Sequence, residues 1–144
     1  MKKKVLFFVC AVSIVLNILQ FISIEQQRLY NNKKFINNLS TLSDLFKAYP
    51  DGINLKDKQL QRLNSYISQM QITINNTSYK NKKSLSLMMQ QLGQFLFMCS
   101  NEKLDKYIHQ VSQNLYPIQN QLDDRSKIDD FNNFLLDVIN KAPY

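Results

Sequence analysis

Residues 5–24 read VLFFVCAVSIVLNILQFISI and contain no charged side chain. Lys2, Lys3 and Lys4 come immediately before them. A helix rises about 1.5 Å per residue, so this stretch would extend over roughly 30 Å, the thickness of the hydrocarbon core of a bilayer. The sequence therefore predicts a transmembrane anchor over residues 5–24, with residues 1–4 as a cytoplasmic basic tail.

The flanking sequence bears on the orientation and the fate of this segment. The lysines before it favour a cytoplasmic N-terminus, which places residues 25–144 outside the cytoplasmic membrane in a single-pass topology. A cleaved signal peptide is the alternative, and it has a shorter apolar core followed by a small-x-small site. The triplet Ala11-Val12-Ser13 fits such a site but leaves too short an apolar core before it. We therefore expect an uncleaved signal anchor, and a secreted factor if the segment is removed.

Four polar side chains recur within the segment at spacings of three, four and three residues: Cys10, Ser13, Asn17 and Gln20. This spacing places them on one face of a helix. Unpaired amides are costly in hydrocarbon, and interhelical hydrogen bonds between such groups contribute about 1 kcal/mol. One interpretation is that this polar stripe is a contact face for another membrane protein or for a second copy of the chain. The other is that the stripe has no partner and the bilayer tolerates its two amides.

Residues 25–144 have the composition of one helical domain. The whole chain contains two glycines, three prolines and no tryptophan, and its apolar residues recur at helical spacing. About 120 residues suffice for one modest core. The predicted fold class is all-α, with the N-terminal transmembrane helix continuing into a small antiparallel bundle of about four helices.

Apolar spacings of three and four residues predict which positions face the core of this exported bundle. They are Phe35, Leu39, Leu42, Phe46 and Tyr49 in the continuation of the anchor, Leu60, Leu63, Ile67, Met70 and Ile74 in the next helix, Leu104, Ile108, Val111 and Leu115 in a later one, and Ile128, Phe131, Leu135 and Val138 in the last. Residues 85–99 are apolar around too wide an arc to face solvent. They predict the central helix of the core, with Met88, Met89 and Met98 as core residues or, alternatively, as the lining of an adaptable binding groove.

Several residue types predict the boundaries of the helices. Tyr49-Pro50-Asp51-Gly52 is a turn sequence, and Asn54 is a good N-cap for the helix that follows. The apolar phase shifts at residues 100–102, and Pro117 interrupts it again, so either one helix kinks or two helices meet. Ser126, three residues before Asp129, resembles a capping box at the start of the last helix.

The stretch NNTSYKNKKS, residues 75–84, predicts an exposed loop because it is polar and rich in turn formers. The loop contains three lysines, Lys80, Lys82 and Lys83. They are either solvated or bind an acidic partner or a phosphate. The chain has a formal net charge of +7. Basic residues dominate before residue 84 and acidic ones after it, so the membrane-proximal half can lie against anionic headgroups. We expect no nucleic-acid partner, because no recognition motif accompanies the charge.

Few residues in the sequence suggest chemistry. His109 is the one histidine, and no second histidine or cysteine lies at metal-ligand spacing. Asp123, Asp124, Asp129 and Asp130 lack the glycine and the terminal glutamate of a calcium loop. We therefore expect no catalytic residue, no metal and no cofactor.

The sequence predicts a non-enzymatic interaction protein, an accessory, assembly or regulatory subunit of a cell-envelope complex. This prediction rests on the polar stripe and on an exported domain without a chemical site. The alternative function is ligand binding, by an exported sensory or small-ligand-binding bundle in which residues 85–99 line the cavity.

Overall fold

A computed structural model describes residues 2–49 and 57–141 of the chain, with side chains described for 6–49 and 59–141. Within these ranges the regular structure is entirely helical, and the predicted all-α fold class is confirmed. The elements are α1 (Lys2–Lys47), α2 (Asp57–Ile74), α3 (Lys82–Met98), α4 (Asn101–Leu115), a 3-10 helix (Tyr116–Asn120) and α5 (Arg125–Asn140).

Helix α1 is continuous over 46 residues, so its axis extends roughly 70 Å. It has two parts. The described side chains up to Tyr30 are exposed on every side of the helix, apart from the half-buried Glu25. From Asn31 onward a buried residue recurs every three or four positions. The predicted continuation of the apolar segment into an amphipathic bundle helix is therefore confirmed.

The predicted core positions are buried in all four bundle segments, apart from Leu60, which is half-buried. Phe35, Phe46 and Phe95 are among the largest fully buried side chains. Burying a side chain of this size contributes about 1.5–3 kcal/mol relative to leaving it exposed. The three-four spacing thus produces one contiguous core to which every helix of the bundle contributes.

The helices pack in an order that differs from their order along the chain. α1 packs against α2 and α4, and α3 packs against α2 and α5. Consecutive helices run in opposite directions. At one end, Asn81 Nδ2 donates to the Asp123 backbone oxygen (2.8 Å), which joins the starts of α3 and α5. At the other end, Lys103 Nζ donates to the Ile139 backbone oxygen (3.0 Å), which joins the start of α4 to the end of α5. Helices α3 and α5 are therefore parallel neighbours.

We call the end of the bundle from which the apolar part of α1 projects the proximal end. It contains the α2–α3 loop, residues 75–81, and the connection before α5, residues 121–124. The opposite end is the distal end, and it contains the connection between α3 and α4.

One helix boundary differs from the sequence predictions, and another decides between the alternatives that the sequence left open. Two helices meet at residues 99–100, where the Ser100 side chain accepts from the Lys103 backbone N–H (3.4 Å) as the N-cap of α4. The cap of α5 is Asp124, whose carboxylate accepts from the Ser126 backbone N–H (3.1 Å), so the helix does not start at Ser126. The predicted cap Asn54 and the turn residues 50–52 lie outside the described residues.

Helix α3 buries less of its apolar surface than its composition predicts. Met88 and Met89 are fully buried, but Met98 is 71% exposed, so its assignment to the core is wrong. Leu87 and Phe97 are exposed as well. The reason is that α3 packs mainly against two helices, and Leu87 and Met98 lie eleven residues apart, on the same outward face.

Candidate functional site

The polar stripe lies on the projecting part of α1. The four side chains Cys10, Ser13, Asn17 and Gln20 are all exposed, and no described part of the bundle covers them. At 3.6 residues per turn they fall within an arc of about 80° and extend along about 15 Å of the helix. The continuous helix therefore places the four predicted residues in one row, which points away from Val12 and Val15. Whether a partner helix contacts this row stays a prediction.

The α2–α3 loop is attached to α1 where that helix enters the bundle. Asn32 Nδ2 donates to Ser78 Oγ (2.6 Å), and the Ser78 backbone N–H donates to Asn32 Oδ1 (2.9 Å). Asn31 Nδ2 donates to the Asn76 backbone oxygen (3.3 Å). The predicted exposed loop is therefore only partly exposed, since its residues Thr77 and Tyr79 are buried. The loop is held against α1 by contacts between residues about 45 positions apart.

Replacing Asn32 with alanine should loosen this attachment. Two side-chain hydrogen bonds to Ser78 are lost, and each contributes about 0.5–1.5 kcal/mol net, so we expect about 1–3 kcal/mol less stability. Hydrogen exchange of the Ser78 backbone amide should become faster. Asn37→Ala is the matched control, because Asn37 is exposed on the same helix and its side chain makes no hydrogen bond among the described residues. Equal exchange rates in both variants would contradict the attachment.

Tyr79 also holds the α2–α3 loop against α1. Its ring lies 5.8 Å from the Phe35 ring, centroid to centroid, and its hydroxyl donates to the Asn32 backbone oxygen (3.4 Å). Burial, and secondarily the Asp123 carboxylate, raises the pKa of Tyr79 to about 12, from 10.0 for a free tyrosine. The folded state therefore disfavours the phenolate.

The raised pKa predicts the direction of a pH effect. The unfolded chain ionises Tyr79 near pH 10 and the folded chain only near pH 12, so this contribution to stability is complete below pH 10. It is lost as the pH rises from 10 through 12. We expect wild type to lose stability relative to Tyr79→Phe over that interval, measured by urea unfolding at each pH. Tyr116→Phe, at an exposed position, should follow the wild-type curve.

The three predicted lysines do not form one cluster of equivalent groups. Lys82 Nζ donates to the Asn75 backbone oxygen (2.8 Å) and is half-buried, whereas Lys80 and Lys83 are exposed. The Lys80 backbone N–H donates to Asp123 Oδ1 (3.4 Å). Lys82 and Arg28 of α1 line the same small pocket. Sequence reasoning missed Arg28. Its position in the sequence could have identified Arg28, because this residue lies one helical turn after Ile24, at the end of the apolar run.

A second pocket, of about 380 Å³, lies between α1 and α4. It is lined by Ser43, Asp44, Lys47, His109, Ser112, Gln113 and Tyr116. Ser112 Oγ donates to the Ser43 backbone oxygen (3.0 Å) at this contact. None of these residues belongs to the stretch 85–99, which was predicted to line a cavity.

Groups suited to catalysis are sparse among the described residues. No group of three or more His, Cys, Asp or Glu side chains within those ranges is arranged to hold a metal ion. Burial raises the pKa of the Cys99 thiol, and the nearby Lys103 ammonium opposes that shift. The thiol is therefore held in its protonated, weakly nucleophilic form.

Three features of the described residues can carry function: the polar stripe of α1, the basic proximal end and the pocket between α1 and α4. The first two lie next to each other along α1, and the third lies within the bundle. Family models, curated proteins and solved structures give no match to the chain.

Proposed function

We propose that the chain is a single-pass protein of the cytoplasmic membrane, with its N-terminus in the cytoplasm and its helical bundle outside. In this proposal it is a non-enzymatic accessory, assembly or regulatory subunit of a cell-envelope complex. The observation that carries the proposal is the projecting part of α1, a helix long and apolar enough to cross a membrane, of which nothing is buried against the bundle.

Simple energetics support insertion of this helix. Thirteen large apolar side chains between residues 6 and 24 are exposed. Each Leu, Ile, Phe or Val contributes about 0.3–0.6 kcal/mol to insertion, so together they contribute roughly 4–8 kcal/mol. Asn17 and Gln20 oppose insertion, but Gln20 lies about 8 Å from the middle of the span and can approach the headgroups. The balance therefore favours lipid over water.

The orientation and the partner follow from charge and from the polar stripe. The three lysines before the apolar run favour retention of the N-terminus in the cytoplasm. Because the stripe is continuous with the bundle in one helix, a partner in the membrane that binds the stripe also fixes the position of the bundle outside it. The partner is another membrane protein or a second copy of this chain.

Protease protection in intact cells, followed by mass measurement of the membrane fraction, tests the topology. We expect the bundle to be accessible from outside and the chain to retain residues 1–24. A mature chain that lacks these residues would support a secreted factor instead. A bundle protected from external protease would contradict the proposed orientation.

Cysteine crosslinking tests the contact face. In a Cys10→Ser, Cys99→Ser background, Ser13→Cys, Asn17→Cys and Gln20→Cys should each crosslink more than controls on the opposite face, because a contact through the stripe brings these positions of two helices together. The controls are Val12→Cys, Val15→Cys and Leu19→Cys. Gel shifts after oxidation in native membranes measure the yield. Equal yields from the two faces would show that the stripe is not a contact face.

The pocket between α1 and α4 favours a second candidate function, the binding of a small molecule by the bundle. Its lining combines the Asp44 carboxylate and the Lys47 ammonium with the His109 imidazole, which suits a small polar ligand. A thermal-shift screen on the wild type and on Ser112→Phe, which fills the pocket, separates specific binding from general stabilisation. Absence of any stabilising compound would count against this candidate.

A further inference from the structure

A pocket of about 190 Å³ lies where the apolar part of α1 enters the proximal end of the bundle. Its lining consists of Ile24, Gln27, Arg28, Asn75, Asn76 and Lys82. Ile24 is the last residue of the apolar run, whereas the other five side chains are polar or basic. The pocket thus joins the end of an apolar helix to a set of cations and amides.

The depth of this pocket follows from the continuous helix. Arg28 lies four residues after Ile24, and so about 6 Å further along the axis. The polar layer on each side of a bilayer is about 5–8 Å thick. When Ile24 lies at the edge of the hydrocarbon, Arg28 is therefore level with the headgroups. The α2–α3 loop reaches the same level, because its residues Asn75 and Asn76 line the pocket together with Arg28.

Both cations in the pocket have donors to spare. Arg28 Nη1 contacts Glu25 Oε1 (2.7 Å), but the guanidinium has five N–H groups and its side chain is 49% exposed. Lys82 Nζ makes one bond, to the Asn75 backbone oxygen, and an ammonium has three donors. A phosphate oxygen between them would receive charge-assisted hydrogen bonds from both side chains.

The surroundings of the pocket are also suited to a lipid surface. The proximal end and the adjoining turns of α1 carry more bases than acids: Lys33, Lys34, Lys80 and Lys83 against Glu25, Asp123 and Asp124. Leu29 and Tyr30 are exposed in the turn after Arg28. Tyrosine is enriched at the headgroup level of membrane proteins, because its ring is apolar and its hydroxyl polar.

We propose that the proximal end is a binding site for an anionic phospholipid, whose phosphate is held between Arg28 and Lys82. This inference rests on the proposed membrane anchoring and names the lipid class that the bundle contacts. The bound headgroup fixes the proximal end against the membrane, in addition to the covalent continuity of α1.

Native mass spectrometry of the full-length chain in detergent micelles, titrated with phosphatidylglycerol and with phosphatidylcholine, tests the site. Each Lys or Arg near an anionic surface strengthens binding roughly fivefold. We therefore expect Arg28→Gln with Lys82→Gln to weaken phosphatidylglycerol binding by about tenfold or more, and to leave phosphatidylcholine binding unchanged. The matched control, Arg62→Gln with Lys106→Gln, removes the same charge from exposed positions outside the pocket and should bind as the wild type does.

Arg28→Lys with Lys82→Arg keeps both charges and should retain binding, which separates the loss of charge from a loss of folding. Equal weakening in the control variant, or no weakening in the double glutamine variant, overturns the proposal. Displacement of phosphatidylglycerol by equimolar inorganic phosphate would overturn it in favour of a small anion. A wild-type chain that inserts but shows no lipid preference refutes this inference alone, whereas a chain washed from membranes at high pH refutes the anchoring and this inference together.

Discussion

Val12→Arg combined with Val15→Arg should remove the chain from the membrane fraction. An arginine near the centre of a bilayer costs about 2.5–3.5 kcal/mol on insertion scales, so the pair costs about 5–7 kcal/mol. The apolar side chains of the same segment contribute roughly 4–8 kcal/mol in the opposite direction. The pair therefore cancels most or all of the free energy that retains α1 in lipid. Extraction of membranes at high pH, followed by immunoblotting of pellet and supernatant, measures the shift.

This pair tests insertion without changing the polar stripe. Val12 and Val15 are exposed and lie three residues apart, on the side of α1 that faces away from the polar stripe. Leu87→Arg with Leu136→Arg introduces the same two arginines at exposed positions of the bundle and should leave the chain in the pellet. If the unmodified chain is itself released at high pH, α1 is not an anchor and the proposed function fails with it.

The core of the bundle could be predicted from the sequence because burial on a helix repeats every three to four residues. Each of the five residues from Phe35 to Tyr49 that the spacing selects is buried, although the first four lie on the same continuous helix as the exposed apolar segment. The spacing distinguishes the two parts of α1. Before Ile24, apolar residues surround the helix except along the polar stripe, whereas after Asn31 they occupy one face.

Contacts between distant residues could not be predicted in the same way. The polar composition of residues 75–84 favours an exposed loop, yet Thr77 and Tyr79 are buried because side chains of α1 hold the loop. The pairing of Arg28 with Lys82 in one pocket has the same origin. Local patterns report which face of a helix is apolar but not which loop is folded onto it.

The spacing of apolar residues also could not predict which helices pack against each other. α3 is followed directly by α4 along the chain, but it packs mainly against α2 and α5. Because it packs mainly against two neighbours, Leu87 and Met98 remain exposed despite the wide apolar arc. A wide arc predicts a buried helix only when helices cover it on all sides, and the number of covering helices is a property of the tertiary fold.

Phe35→Ala should lower the free energy of unfolding of the bundle by about 3–5 kcal/mol, the range for a buried phenylalanine. Phe35 is fully buried, and its ring is tilted by 59° against the Tyr79 ring at 5.8 Å. The substitution therefore leaves a cavity where the α2–α3 loop meets α1. Domains of this size have about 5–15 kcal/mol of stability in total, so the loss is a large fraction of it. Tyrosine fluorescence during urea unfolding in micelles reports on the bundle, while the projecting part of α1 stays helical in detergent.

Ile36→Ala is the matched control, because Ile36 is the next residue on the same helix and is 37% exposed. It removes a similar amount of apolar surface but leaves no closed cavity, so we expect a loss of about 1 kcal/mol or less. Both variants should keep the wild-type dependence of unfolding free energy on urea concentration, since the surface exposed on unfolding is nearly unchanged. Equal losses in the two variants would mean that α1 does not pack with Phe35 inside, and the rigid connection between the apolar helix and the bundle would then have no structural basis.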